Sequence, residues 1–129
     1  MKKLVAAFVM ALVGIGSAAY AGRKATNVVV IDYTYRSASG QFGSVRASAD
    51  TIQQLYCWRD KWSNGDIRGG CHARDAANNY VACQTTDLEM IDSMNALTST
   101  ARIIFQWNDL GECTRIYVSA SSSYAPITP

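Results

Sequence analysis

Four cysteines, Cys57, Cys71, Cys83 and Cys113, spaced 14, 12 and 30 residues apart, constrain this chain more than any other feature. Their meaning depends on the redox compartment, and the N-terminus points to one. Met1, Lys2 and Lys3 form a short positive segment, and residues 4–16 are uncharged and rich in Leu, Val, Ala, Phe and Met. Ala19 and Ala21 then supply the small-x-small pattern that signal peptidase accepts. The apolar run falls short of the roughly 20 residues that a membrane helix needs. Residues 1–21 therefore read as a bacterial-type signal peptide, with no membrane attachment after cleavage. Residues 22–129 read as a single small secreted or periplasmic domain. An even number of cysteines in an oxidising compartment reads as two disulfides. A zinc site would need closer ligand spacing: there is no C-x-x-C pair and His72 is the only histidine, so no metal or other cofactor is expected.

Loss of the leader also removes Lys2 and Lys3, which reduces twelve basic residues to ten against ten acidic ones. The remainder is formally neutral, and its arginines are scattered with no basic run or stripe. Nucleic-acid binding normally leaves a clustered positive footprint, so a nucleic-acid partner is not expected.

Residues 25–36, rich in Val, Ile and Tyr, predict an N-terminal strand or arm. Residues 37–43 read as a loop, followed by a disulfide-containing core over residues 44–120. Residues 48–54 are ambiguous between a short helix and the lead-in to a strand. Asn64-Gly65 predicts a two-residue hairpin turn between strands at 55–62 and 67–74, and a third strand follows at 80–85. Thr86 to Glu89 matches a capping box, with Thr86 as the cap. Leu88, Met90, Ile91, Met94 and Leu97 form an apolar stripe, so residues 87–97 predict one helix with that stripe in the core. Residues 102–107 and 112–120 alternate as a hairpin, with Cys113 on the face opposite Ile116 and Val118. Residues 121–129 read as a loose tail. The expected fold is α+β: a mainly antiparallel sheet of about five or six strands, one helix and two disulfides.

In a three-stranded meander Cys57 and Cys83 sit two strands apart, about 9–10 Å, beyond the reach of a disulfide. Two pairings remain open. Cys57–Cys71 with Cys83–Cys113 is favoured, although a two-residue turn puts Cys57 opposite His72. That pairing needs a bulge, for which Gly69-Gly70 or Tyr56 gives room. The rival joins Cys71 to Cys83 and Cys57 to Cys113.

Catalytic machinery is hard to find. No nucleophile motif is present, and the sole base candidate, His72, would have to work with Asp60, Asp66 or Asp75 in a small hydrolase. These aspartates flank turns, which explains them without catalysis. No catalytic residue is assigned and no enzyme is expected. Trp58, Trp62, Tyr56 and Tyr80 are the remaining candidates. Exposed, they would form a ligand platform; for a domain this small the expected place for them is the sheet core. The function expected is a structural or binding role in the periplasm or at the cell surface, through a protein or cell-envelope component. Self-association through residues 25–36 is one variant, and a glycan or envelope-ligand binder using the aromatic platform is the alternative.

Overall fold

Asn64-Gly65 does reverse the chain, but through three loop residues rather than two. The computed structural model describes residues 25–124; the signal peptide expected at residues 1–21 lies outside them, as do residues 125–129. Trp62 N–H donates to the Asp66 carbonyl at 2.8 Å and Gly65 N–H to the Trp62 carbonyl at 3.0 Å, with Gly65 at φ +96°. This is a type I turn closed by a residue in the left-handed region. The same turn recurs twice. Asn78 (φ 67°) closes it between Asp75 and Asn79, and Gly111 (φ 75°) closes it between Asn108 and Glu112. Positive φ is open mainly to Gly and Asn, which explains all three closing residues.

The extra loop residue fixes the pairing of β3 (Gln54–Lys61) with β4 (Ile67–Arg74). Cys57 lies opposite Cys71, and Tyr56, not Cys57, lies opposite His72. The expected bulge within the strands is therefore not needed; the turn absorbs the odd residue. β5 (Tyr80–Thr85) pairs with the other side of β4, placing Cys83 opposite Cys71. Three cysteines thus stand in one row on one face.

A second sheet takes the place of the single sheet expected. β1 (Val30–Asp32), β2 (Ser37–Gln41), β6 (Ala101–Trp107) and β7 (Cys113–Ala120) form four antiparallel strands in the order β1-β2-β6-β7. The long strand expected at 25–36 is shorter, because residues 33–36 turn the chain into β2. Residues 37–43, expected as a loop, instead form β2 and the start of α1 (Phe42–Arg46). Ser, Ala and Gly have weak strand propensity, but β2 is central, bonded to β1 and β6, and burial overrides composition there. Nor is the N-terminal segment a detached arm: Val29 is buried, and its N–H donates to Gln53 Oε1 at 2.9 Å.

Two short helices replace one. α2 (Leu88–Ser93) continues into a 3-10 turn (Met94–Ala96). Its cap is Asp87 rather than Thr86: one carboxylate oxygen accepts from Glu89 N–H at 3.0 Å and Met90 N–H at 2.9 Å. Ile91 and Met94 are buried, whereas Leu88, expected in the stripe, is exposed.

The two sheets share one core, with Leu55, Cys71, Ala73, Val81 and Cys83 on one side and Ala38, Ile103 and Phe105 on the other. One irregularity matters. A bulge at Gln106/Trp107 shifts the register of β6 and β7, so Cys113 turns inward together with Ile116 and Val118 instead of opposing them. Cys113 thereby reaches Cys83, giving the bonds Cys57–Cys71 within one sheet and Cys83–Cys113 between sheets.

Because the three turns demand left-handed residues, Gly65→Ala and Gly111→Ala are each expected to cost about 1 kcal/mol. Asn78→Gly is expected to be neutral or slightly stabilising. Urea unfolding of the three variants checks this; equal midpoints for wild type and both alanine variants contradict it.

Candidate functional site

Alternation along β3, β4 and β5 sends Leu55, Cys57, Cys71, Ala73, Val81 and Cys83 inward. Tyr56, Trp58, His72, Arg74 and Tyr80 go to the opposite face. The aromatic residues expected in the core are thus on the outside of the three-stranded sheet. Tyr56 and Tyr80 are each 46% exposed and Trp62 is 55% exposed. The inner row of cysteines needs small partners close by, and a large ring has no room there.

His72 is the hub of this face. Its ring stacks on Tyr56, centroids 4.4 Å apart at 14°. Trp58 Nε1–H donates to His72 Nε2 at 3.1 Å, and His72 Nδ1 is bonded to the Tyr80 hydroxyl. Indole is only a donor, so Nε2 must be the acceptor and the ring proton sits on Nδ1, toward Tyr80. Gly70 makes this arrangement fit. A Cβ there would stand 2.5 Å from the Cys83 carbonyl oxygen and 3.1 Å from two indole atoms of Trp58. The indole therefore lies across the bare backbone of β4.

Cations flank the aromatic groups. The Arg74 guanidinium sits 5.2 Å from the centre of the Tyr80 ring and donates to Asn78 Oδ1 at 2.6 Å. Trp62, just beyond β3, carries Arg68 at 5.9 Å. Beside β3 a cleft of about 840 Å³ opens between α1 and residues 48–54. Phe42, Val45 and Leu55 give it an apolar side, Arg46 and Asp50 a charged one, and Tyr56 lines it as well. The face and the cleft therefore share Tyr56. The cleft's loop is held by Asp50, which accepts from Ile52 N–H, Gln53 N–H and Gln53 Nε2. The Gln53 side-chain bond, ahead of the backbone bonds, pulls its carboxyl down to about 2.

The four platform residues converge on one surface, and the geometry adds His72 and Arg74 to them. The sequence marks His72, the only histidine, as a base candidate and a weak metal ligand, not as a member of the platform. Even numbering along β4, combined with the correct turn length, is the signal that finds both residues. Among the described residues, His72 bonds to Trp58 and Tyr80 and is not hydrogen-bonded to Asp60, Asp66 or Asp75, the aspartates weighed as its partners. Asp75 is engaged by Asn79 and Asp66 by Asn64. No group of three His, Cys, Asp or Glu side chains among the described residues is placed to hold a metal ion.

Burial pushes the His72 imidazole below its ordinary value of 6.5. A base depressed on folding contributes stability that is complete above pH 6.5 and is lost as pH falls below it. Asp50 and Asp75, both below the ordinary 3.8, contribute stability that is complete above pH 3.8 and lost only at lower pH. Acid destabilisation is therefore expected in two stages, and His72→Gln is expected to remove the first alone. Urea midpoints at about pH 7.5, 5 and 3 check this; a wild-type midpoint unchanged between the first two contradicts it. Comparison with known proteins adds no analogy: no family model, curated protein or solved structure matches this chain.

Proposed function

We propose that this protein is an exported, non-catalytic binding module whose ligand surface is the outer face of the three-stranded sheet. Its ligand is a glycan or another carbohydrate-bearing component of the cell envelope. The observation that carries the reading is the convergence of Tyr56, Trp58 and Tyr80 around His72 on a solvent-facing surface. Small domains tend to bury large rings, so several of them outside the core point to contact with something else.

The chemistry suits a sugar. Aromatic faces pack against the C–H faces of pyranose rings. Arg68, Arg74, Gln54 and Gln84 flank the rings on the same face, with hydrogen-bonding groups suited to hydroxyls and carboxylates. The cleft beside Tyr56 allows a chain longer than one residue to continue off the sheet. The formally neutral mature composition fits a ligand recognised by stacking more than by charge. Two disulfides, and the lack among the described residues of any helix long and apolar enough to cross a membrane, are consistent with export.

A second reading is supported by the sheet edge. Among the described residues β1 has no neighbouring strand on its outer side, and Val30 there is 56% exposed, which suits pairing of two copies along this strand. Calorimetric titration with soluble peptidoglycan fragments and envelope polysaccharides tests the main reading. Tyr56→Ala and Tyr80→Ala are each expected to weaken binding about threefold to tenfold. The reading is overturned if no fragment binds, or if both variants bind as wild type does. Light scattering on the same preparation decides the second reading. A dimer that Val30→Lys dissociates supports it, and a monomer at high concentration removes it.

A further inference from the structure

Both nitrogens of His72 are engaged, and only one charge state allows this. The indole N–H of Trp58 can donate but not accept, so it requires a bare Nε2. The other nitrogen serves the Tyr80 hydroxyl, and Tyr56 covers the ring face. The imidazole is thus wedged among three aromatic side chains from the two neighbouring strands, and the resting position of Trp58 depends on its being neutral.

The remaining neighbours do not favour a cation. From β3, Gln54 and Asp60 lie two residues beyond Tyr56 and Trp58 respectively, and Asp60 is opposite Arg68 rather than His72. From β5, Ala82 is opposite His72 and Gln84 is opposite Gly70. Along β4 itself the next charged group on this face is Arg74, a cation stacked on the same Tyr80 ring. Among the described residues no carboxylate bonds to the imidazole.

We propose that His72 is a proton-operated latch for this face, holding Trp58 in the ligand-competent position when neutral and releasing it when protonated. The inference rests on the ligand surface proposed above. A proton taken from solvent onto Nε2 turns the acceptor into a second donor facing the indole N–H. Two donors cannot share one bond, so either the indole leaves its seat over Gly70 or the imidazole turns out from between the tyrosines. Either movement breaks up the surface. The bond from Nδ1 to Tyr80 survives protonation, so the change is confined to the Trp58 side. Burial places the transition on the acid side of 6.5, so ligand is bound at neutral pH and released on mild acidification.

The test follows the indole N–H of Trp58 by proton–nitrogen NMR from about pH 8 to pH 4.5. Trp58→Phe assigns the signal among the three tryptophans. Binding of the best peptidoglycan or polysaccharide fragment is measured across the same range. In wild type the Trp58 signal is expected to shift in one step below pH 6.5, with binding falling about tenfold, the weight of one lost bond. In His72→Gln, whose amide oxygen accepts at every pH, both are expected to stay flat. A Trp58 signal that is invariant with pH, or that shifts equally in His72→Gln, overturns the latch. So does ligand binding that is independent of pH while the signal shifts. A shifting signal with no binding at any pH supports the proton-driven movement and overturns the ligand reading instead.

Discussion

The Cys83–Cys113 bond is the connection on which the architecture rests. Two small sheets meet over a core in which, among the described residues, Phe105 and Ile103 are the only fully buried side chains larger than glutamine, and much of the remainder is Ala, Cys and Val. Such a core stabilises a domain of this size only modestly, which is the regime in which disulfides are needed. The bond closes a separation of 30 residues, and in the chain-entropy account that contributes about 3–4 kcal/mol. It forms because a bulge opposite Trp107 turns Cys113 inward, and because Gln84 N–H donates to the Gly111 carbonyl at 3.0 Å beside it.

The second bond has a different consequence. Cys57–Cys71 joins residues directly opposite one another, Cα atoms 4.1 Å apart, and so locks the register of β3 on β4. In a strand, a slip of one residue exchanges the two faces. With Cys57 held against Cys71, Tyr56 must stand against His72 and Trp58 against Gly70. The chemistry of the outer face is therefore set by a covalent bond on the inner one. Small side chains inside and large rings outside are two halves of the same constraint.

Strand positions were legible where alternation was clear. β3, β4, β5, β6 and β7 lie within a residue or so of the expected ranges, and of the two cysteine pairings that the spacing left open, the favoured one is observed. What was not legible depended on tertiary context. The sequence Ser37-Ala38-Ser39-Gly40-Gln41 has the composition of a loop and becomes a central strand only because β1 and β6 flank it. Phe42–Arg46 is a single helical turn with no side-chain cap, too short to show a period. The aromatic face was visible as a set of residues, but its side of the sheet was not. That required the turn length at Ser63 to Gly65, and Asn-Gly reads equally well as a two-residue or a three-residue reversal.

Register is therefore the quantity that joins the fold to the proposed site, and the disulfide pattern reports it directly. Trypsin cuts after Arg59, Lys61, Arg68, Arg74 and Arg102, among other sites, which separates all four cysteines onto different peptides. Peptide mapping of the unreduced protein by mass spectrometry is expected to find Cys57 joined to Cys71 and Cys83 joined to Cys113. A Cys71–Cys83 link would contradict the account, since it would displace the Cys83–Cys113 bond and remove the lock that holds Tyr56 against His72.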